Sequence, residues 1–431
     1  MKKAVVLGAY GFIGAACVRA LQAGGFAVLG VGRSRETAQR TFPNLVWIIR
    51  DIAATPADDW QDIFADADVV VNASGALQDG ARDNLTAIHE TAIEQMLIAL
   101  SVTRTKFIQI SAAGVSEDAP TAFFRTKARG DALVTASSID WVVLRPALVL
   151  GSDANGGSAL LRAAAATPWI GARAFPQAQI QTIHVEDLAQ AVVQAAGGEV
   201  GLQFVADLTE DNSHSFHALT RHLRTWLGYP DWTFEIPLPG WLLKTVGRGA
   251  DLLGWLGWRS PLRTNALVSL ENGIKGDPTP WRERGGIAIK GLKATLAAMP
   301  ATAQERAFAR LYLLLPLAIA SLSLFWFLSG VIGLLSFSEA KAVLTDRGGS
   351  AAFASVAVVG GAVVDMVLGA GVLVRRWTRL ACLGMIAVSA AYLFFGTLLA
   401  ADLWADPLGP FVKVLPAIVL ALLVALLLEK R

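Results

Sequence analysis

Near its start the chain reads Ala4-Val5-Val6-Leu7-Gly8-Ala9-Tyr10-Gly11-Phe12-Ile13-Gly14, and this run settles what the first half folds into. A short apolar, β-branched segment that ends at a glycine reads as a buried parallel strand. Helical text over residues 15–23 follows and stops at Gly24-Gly25. Gly8 permits the tight turn out of the strand. Gly11 leaves room for a pyrophosphate beside the backbone, and Gly14 lets helix and strand touch. The free N–H groups of the helix start then face the phosphates, with Tyr10, Phe12 and Ile13 as neighbours in the loop. A glycine triplet alone says little; between a strand and a helix it is a dinucleotide-binding signature.

Working outward, residues 26–31 form a second strand that ends in Gly32-Arg33-Ser34-Arg35. A unit built for NAD(H) carries an Asp or Glu about twenty residues past the last glycine, to hold the ribose 2′-hydroxyl. Arg33 stands 19 residues beyond Gly14. A guanidinium there suits a 2′-phosphate, so NADP(H) is expected over NAD(H), with Ser34 and Arg35 beside it; NAD(H) stays open. Further strands are expected over residues 45–49, ending in Arg50-Asp51-Ile52, and 67–72, ending in Asn72-Ala73-Ser74-Gly75. Two more are expected over residues 107–111 and 141–144, the latter ending in Arg145-Pro146, with a helix over residues 85–101. This alternation predicts an α/β, doubly wound parallel sheet with ligands at the strand carboxyl ends.

The whole chain is less ordinary. Of its 431 residues, 54% are hydrophobic and 17% charged, with mean hydropathy +0.49. Soluble domains carry about a quarter charged residues, so an ordinary soluble enzyme does not fit, and disorder is excluded. Net charge is +2, from 37 basic and 35 acidic residues, which gives no case for nucleic acid as partner. Cys17 and Cys382 are too few for a disulfide framework or a cysteine metal site. No metal is expected.

The apolar excess lies beyond Arg310. Residues 311–335, 350–374, 380–401 and 408–428 are four stretches near or above the roughly 20 residues that cross about 30 Å of hydrocarbon. An all-α, four-helix transmembrane domain over residues 305–431 is therefore expected, with the lipid bilayer as partner. An even number of spans puts both ends on one side. That side would hold Arg306, Arg310, Arg375, Arg376, Arg379, Lys430 and Arg431, against Lys341, Arg347 and Lys413 opposite. The positive-inside rule then places both termini and the nucleotide-binding domain in the cytoplasm, at the inner membrane. Met1-Lys2-Lys3 and the apolar run to Cys17 imitate a lipoprotein signal, but Gly14 stands where such signals want Leu.

These residues resemble the extended and atypical short-chain dehydrogenase/reductases, whose nucleotide-binding part is a Rossmann fold with a small substrate subdomain. Gly8, Gly11 and Gly14 match that branch in spacing. So do Asp51-Ile52, which the resemblance places beside the adenine, Asn72-Ala73-Ser74-Gly75 after the fourth strand, Ile110-Ser111-Ala112-Ala113-Gly114, and Leu144-Arg145-Pro146 with Gly151. His184-Val185-Glu186-Asp187 matches a stretch that is structural in the family. Within the superfamily the chain is most similar to the group around the 39 kDa accessory subunit of respiratory complex I. Ala309-Arg310-Leu311-Tyr312 and residues 325–330 resemble a DoxX-like four-helix domain. The expected domains are residues 1–240, an amphipathic and connector region over 241–304, and the membrane domain; residues 272–286, rich in Gly, Pro and charge, read as the likeliest connector.

The departure is at the catalytic pair. The family uses Tyr-x-x-x-Lys, which puts a phenol and an ammonium on one helix face; the lysine lowers the phenol's pKa and binds the nicotinamide ribose. Here Lys127 is present and Phe123 stands in place of the tyrosine. Tyr10, Tyr229, Tyr312 and Tyr392 meet Gly14, Thr233, Pro316 and Gly396 four residues on, so none has its lysine. Ser111 occupies the family's catalytic Ser/Thr position. Three readings follow: an oxidoreductase whose acceptor, a quinone or flavin, needs no phenolic acid; a catalytically silent NADP(H)-binding sensor or scaffold subunit; and an epimerase or dehydratase, which the missing tyrosine disfavours. His214, His217 and His222 read as a solvated face. Trp241, Trp255 and Trp258, with Lys244, Arg248 and Arg259, suit either a headgroup interface or a packed helix. Asp365, ten residues before Arg375, is a carboxyl deep in a span, expected to face protein as a proton relay or a hydrogen-bonded acid. Gly361 and Gly369 on its face would let a neighbouring helix close in.

Overall fold

The computed structural model describes residues 1–80, 83–154, 156–258, 262–407 and 409–428. The chain divides into two compact units, residues 1–251 with 260–309 and residues 252–259 with 310–431. The first is built on a seven-stranded sheet. Its strands are β1 (Lys3–Leu7), β2 (Ala27–Gly32), β3 (Val46–Ile49), β4 (Val69–Asn72), β5 (Lys106–Ile110), β6 (Trp141–Pro146) and an outer strand, Phe204–Leu208. Their order across the sheet is Phe204–Leu208, β6, β5, β4, β1, β2, β3, and every pairing is parallel. Leu7 lies opposite both Val31 and Asn72, so the order reverses at β1. The crevice at the carboxyl ends of β1 and β4 is the ligand position of such a sheet.

The six expected strands are present with ends moved by one or two residues. Their central members are near-continuous apolar runs because both faces are covered. One cluster packs Val6, Val71, Ile108 and Leu144 against Cys17, Leu21 and Leu188; the other packs Val5, Val70 and Phe107 against Trp60, Phe64 and Met96. The outer strand was not expected. It enters from a tight turn, with Gly201 at φ 80° and Gln203 at φ 55°. The helix expected over residues 85–101 is in two parts, a π-helical turn at Ala87–Thr91 and the α-helix Ala92–Leu100.

The subdomain inserted after β6 holds three two-stranded pairs and an apolar cluster around Leu161, Leu219, Leu223 and Leu267. Two buried charges tie it together. Arg162 bonds Gly151 O and the Glu305 carboxylate and lies over the Trp226 ring, 5.0 Å from its centroid. Glu210 accepts from Thr182 N at 3.0 Å and Leu292 N at 2.8 Å. Within residues 272–286, read as the likeliest connector, Trp281 is 1% exposed and its Nε1 donates to Ile287 O at 3.0 Å.

Among the described residues three helices, Ala303–Leu335, Ala351–Gly371 and Thr378–Leu399, are long and apolar enough to cross a membrane; the second unit holds the first from Arg310 on and the other two whole. The fourth expected span is helical over Val414–Leu427 only, 14 residues, or about 21 Å at 1.5 Å per residue. Gly409-Pro410 breaks the helix there, and Phe411 turns back against Tyr392 and Trp404, each 5.3 Å away between ring centroids. All four helices contribute to one cluster that includes Leu322, Trp326, Val372, Met385 and Val424. Two glycines carry the closest approach. A Cβ on Gly330 would lie 2.4 Å from Ala362 O, and one on Gly369 2.6 Å from Phe327 N, whereas Gly361 faces open space. The expectation for Gly369 therefore holds and that for Gly361 does not. Trp258 packs in this unit, donating to Leu373 O at 2.6 Å; Trp241 and Trp255 are 68% and 80% exposed. Arg259, Lys430 and Arg431 lie outside the described residues.

Candidate functional site

The phosphate end of the site is set by glycines. Gly8 has φ 70°, and a Cβ on it would meet Ser74 Cα at 3.0 Å and Ala73 O at 3.1 Å. The loop after β4 thus closes on the glycine loop, bringing Ala73 and Ser74 against Gly8. A Cβ on Gly14 would lie 2.2 Å from Gly8 O, so that position tolerates no side chain. The helix Phe12–Ala23 starts here with Gly11 as its N-cap and no side-chain cap. Phe12, Ile13 and Gly14 have no upstream helical carbonyl for their N–H groups, which fits a pyrophosphate. Ile13 packs against the core, and the Phe12 ring fills the space a side chain on Gly151 would need.

At the end of β2 the Tyr10 ring lies over Gly32 and 5.9 Å from the Trp47 ring. Its hydroxyl oxygen accepts from Arg33 N at 3.0 Å and Ser34 N at 3.2 Å. The Arg33 guanidinium pairs with Asp83, Nη2 to Oδ1 at 2.8 Å. Ser34 Oγ accepts from Thr37 N. Asp51 caps the 3-10 turn Ile52–Ala54 through Ala53 N. Tyr10 is thus fixed at the end of β2 by its ring contacts and by two backbone N–H groups.

A second group of polar residues gathers on the helix Ala122–Ala136. Lys127 is 6% exposed and donates from Nζ to Ile110 O at 2.9 Å; burial pulls its pKa down to about 8, although Asp131 opposes the shift. Asp131, one turn on, accepts from Ser111 Oγ and from Arg145 Nε, both at 2.8 Å. Burial raises its pKa against the pull of Arg145, and its Oδ1 has no hydrogen-bond partner. Pro146 ends β6 and accepts from Ala113 N at 2.9 Å.

Two residues here escaped the sequence reading. Asp131 is visible only as a carboxyl four residues past Lys127. His89 comes from the π-helical turn, which no local pattern announced. It is 2% exposed and its Nε2 accepts from Ala76 N at 3.3 Å. Its Nδ1 must then carry the proton and donate to Thr126 Oγ1 at 2.9 Å. Burial, with Lys127 close by, pushes its pKa down to about 3. A Cβ on Gly75 would stand 3.4 Å from His89 Nε2 and 3.7 Å from Lys127 Nζ, so one glycine opens the space between them. Phe123 meets His89 edge to face at 5.7 Å between centroids. Among the described residues no phenol is in contact with His89 or Lys127.

Residues 8–196 match the NAD(P)H-binding family and residues 323–422 the DoxX-like family. The chain joins an NAD(P)H-binding domain to a DoxX-like domain. No curated protein matches it. Among solved structures, the Bordetella bronchiseptica enzyme WbmH in complex with NAD+ is similar at 19% identity and TM-score 0.52, over 69% of this chain and 97% of that one. The epimerase Mth375 of Methanothermobacter thermautotrophicus gives 13% and 0.53, over 73% and 94%. The terminal R domain of the myxalamid PKS-NRPS pathway gives 16% and 0.53, over 69% and 89%. At such identity the likeness is one of fold alone, a Rossmann-like parallel sheet.

The remaining candidates fall elsewhere. In the NAD(P)H-binding domain, Asp187 holds Lys290 through its side chain and through Lys290 N at 2.9 Å, a structural tie. His214 pairs with Glu210 and His217 with Glu235, each at 3.2 Å, and no cluster with metal-binding composition occurs among the described residues. In the DoxX-like domain, Asp365 accepts from Ser329 Oγ at 3.0 Å.

Proposed function

We propose that the protein is a membrane-anchored, NADP(H)-preferring oxidoreductase whose acceptor requires no proton from an enzyme phenol, a membrane quinone being the class that fits. The observation that carries the reading is the pairing of an intact nucleotide cradle and a buried Lys127 with Phe123 at the phenol position. When bound, the nicotinamide supplies a hydride. Lys127, beside Gly75 and Ile110 O, would hold the ribose hydroxyls; His89, fixed as the neutral Nδ1–H tautomer, keeps the loop at Ala76 against the lysine helix. Asp131 and Arg145 hold Ser111. Arg33 supplies the charge that favours a 2′-phosphate. In this reading the domains are residues 1–240, 241–304 and 305–431. The NAD(P)H-binding domain and both termini face the cytoplasm, because Arg306, Arg310, Arg375, Arg376 and Arg379 flank the spans on one side.

A second reading, a silent NADP(H) sensor or scaffold subunit, is favoured by one observation: Ser111 and Lys127 already donate inside the protein, to Asp131 and Ile110 O. Full-length protein in native-lipid membranes, mixed at stoichiometric amounts with NADPH and a quinone panel, separates the two. Loss of NADPH absorbance that a quinone accelerates and Lys127→Met abolishes is the result expected for the oxidoreductase. Nicotinamide fluorescence that reports tight binding with no oxidation supports the sensor.

A further inference from the structure

The donors that a 2′-phosphate would use are already occupied, each by an oxygen of the protein. Arg33 N and Ser34 N both point at the Tyr10 hydroxyl oxygen, at 3.0 and 3.2 Å. The Arg33 guanidinium is taken by the Asp83 carboxylate at 2.8 Å. Two backbone N–H groups and a guanidinium converge at one strand end, and the oxygens on them come from two separate segments, the glycine loop and the stretch before the π-helical turn. The Tyr10 ring is held in place independently, over Gly32 and against Trp47, so its oxygen is not there by default of a wandering side chain.

We propose that Tyr10 and Asp83 are internal stand-ins for the 2′-phosphate and set dinucleotide specificity by competition. A phosphate monoester carries about −1.5 to −2 charge and three acceptor oxygens. It can displace one carboxylate and one phenol oxygen; a 2′-hydroxyl, uncharged and with no claim on the guanidinium, cannot. NADP(H) therefore binds by exchange, releasing Asp83, whereas NAD(H) binds with the Arg33–Asp83 pair intact. The inference rests on the reading of Arg33 as the 2′-phosphate residue.

The test is dinucleotide affinity of the full-length protein in detergent or nanodiscs, by nicotinamide fluorescence for NADPH and NADH. Asp83→Asn removes the competing charge and is expected to tighten NADPH about fivefold, the scale of a partly exposed ion pair. NADH is expected to stay within about twofold. Tyr10→Phe keeps the ring and frees the two N–H groups; a further gain of about twofold for NADPH is expected. Unchanged or weaker NADPH binding in both variants overturns the proposal, as does equal tightening of the two dinucleotides. Arg33→Ala tests the underlying reading separately: if it weakens NADPH and NADH alike, or if the wild type binds neither, the reading fails and the proposal with it. If Arg33→Ala weakens NADPH alone while Asp83→Asn changes nothing, the reading stands and only the competition is refuted.

Discussion

Asp131 and Asp365 are carboxylates set among apolar residues, one in each unit, and they are held in opposite ways. Asp131 meets Arg145 and Ser111 at 2.8 Å with Lys127 one turn away. Asp365 meets a hydroxyl, Ser329 Oγ at 3.0 Å, and among the described residues no cation pairs with it. In the NAD(P)H-binding domain a buried charge is matched by charge, so removing one partner strands another. In the DoxX-like domain the acid is held by a single hydrogen bond that an amide can replace. The same contrast governs the glycines. A Cβ on Gly130 would lie 2.1 Å from His89 O, inside the site, whereas Gly361 beside Asp365 opens onto nothing within 4 Å.

The sharpest test of the contrast uses those two glycines. Gly130→Ala is expected to destabilise the NAD(P)H-binding domain by about 3 kcal/mol, read by thermal unfolding with cofactor fluorescence as probe. Gly361→Ala is expected to cost nothing, or to gain up to about 1 kcal/mol from helix propensity. Equal effects would erase the distinction.

The carboxylates come next. Asp131→Asn leaves Arg145 without its charge partner and is expected to cost about 2 kcal/mol, measured by denaturant titration. Asp365→Asn is expected to cost under about 1 kcal/mol and to leave NADPH affinity unchanged while abolishing quinone-coupled oxidation. Normal coupled rates in that variant would remove Asp365 from any proton path.

Lys127 gives the pH prediction. Its pKa falls from 10.5 to about 8 on folding, so the unfolded chain binds more protons between those values and stability rises with pH across that window. Below about pH 8 both states are protonated and the burial penalty is fully present. NADPH affinity runs the other way, falling as pH rises through about 8 and the ammonium is lost. Lys127→Met should abolish both slopes, by unfolding and by binding titrations at pH 7 to 10.5.

How much of this was legible in the residues follows from range. The glycine loop, six strands and three of the four apolar spans are local patterns, and these lie where their patterns placed them. Lys127 and Ser111 were legible by their place in recurring motifs. His89 was not, because its role depends on a π-helical turn and on Gly130 in another helix, partners with no sequence period between them. Asp83 was invisible for the same reason: nothing near it announces Arg33, fifty residues away. The fourth span was overestimated because hydropathy ignores Gly409-Pro410, a break that costs little composition and much length.

The π-helical turn at Ala87–Thr91 has a consequence for helical phase. A turn of this kind inserts one residue into an α-helix, and one residue is about 100° of rotation. The residues ahead of the turn, with the loop that carries Ala76 and Asp83, are thereby out of phase with Ala92–Leu100, whose apolar face lies on the sheet. Deleting a single residue here would restore an ordinary helix and swing everything ahead of it by that angle, while the buried face stayed where it is. A one-residue gap at this point in a related chain would mark a protein with the same core and a differently aimed site.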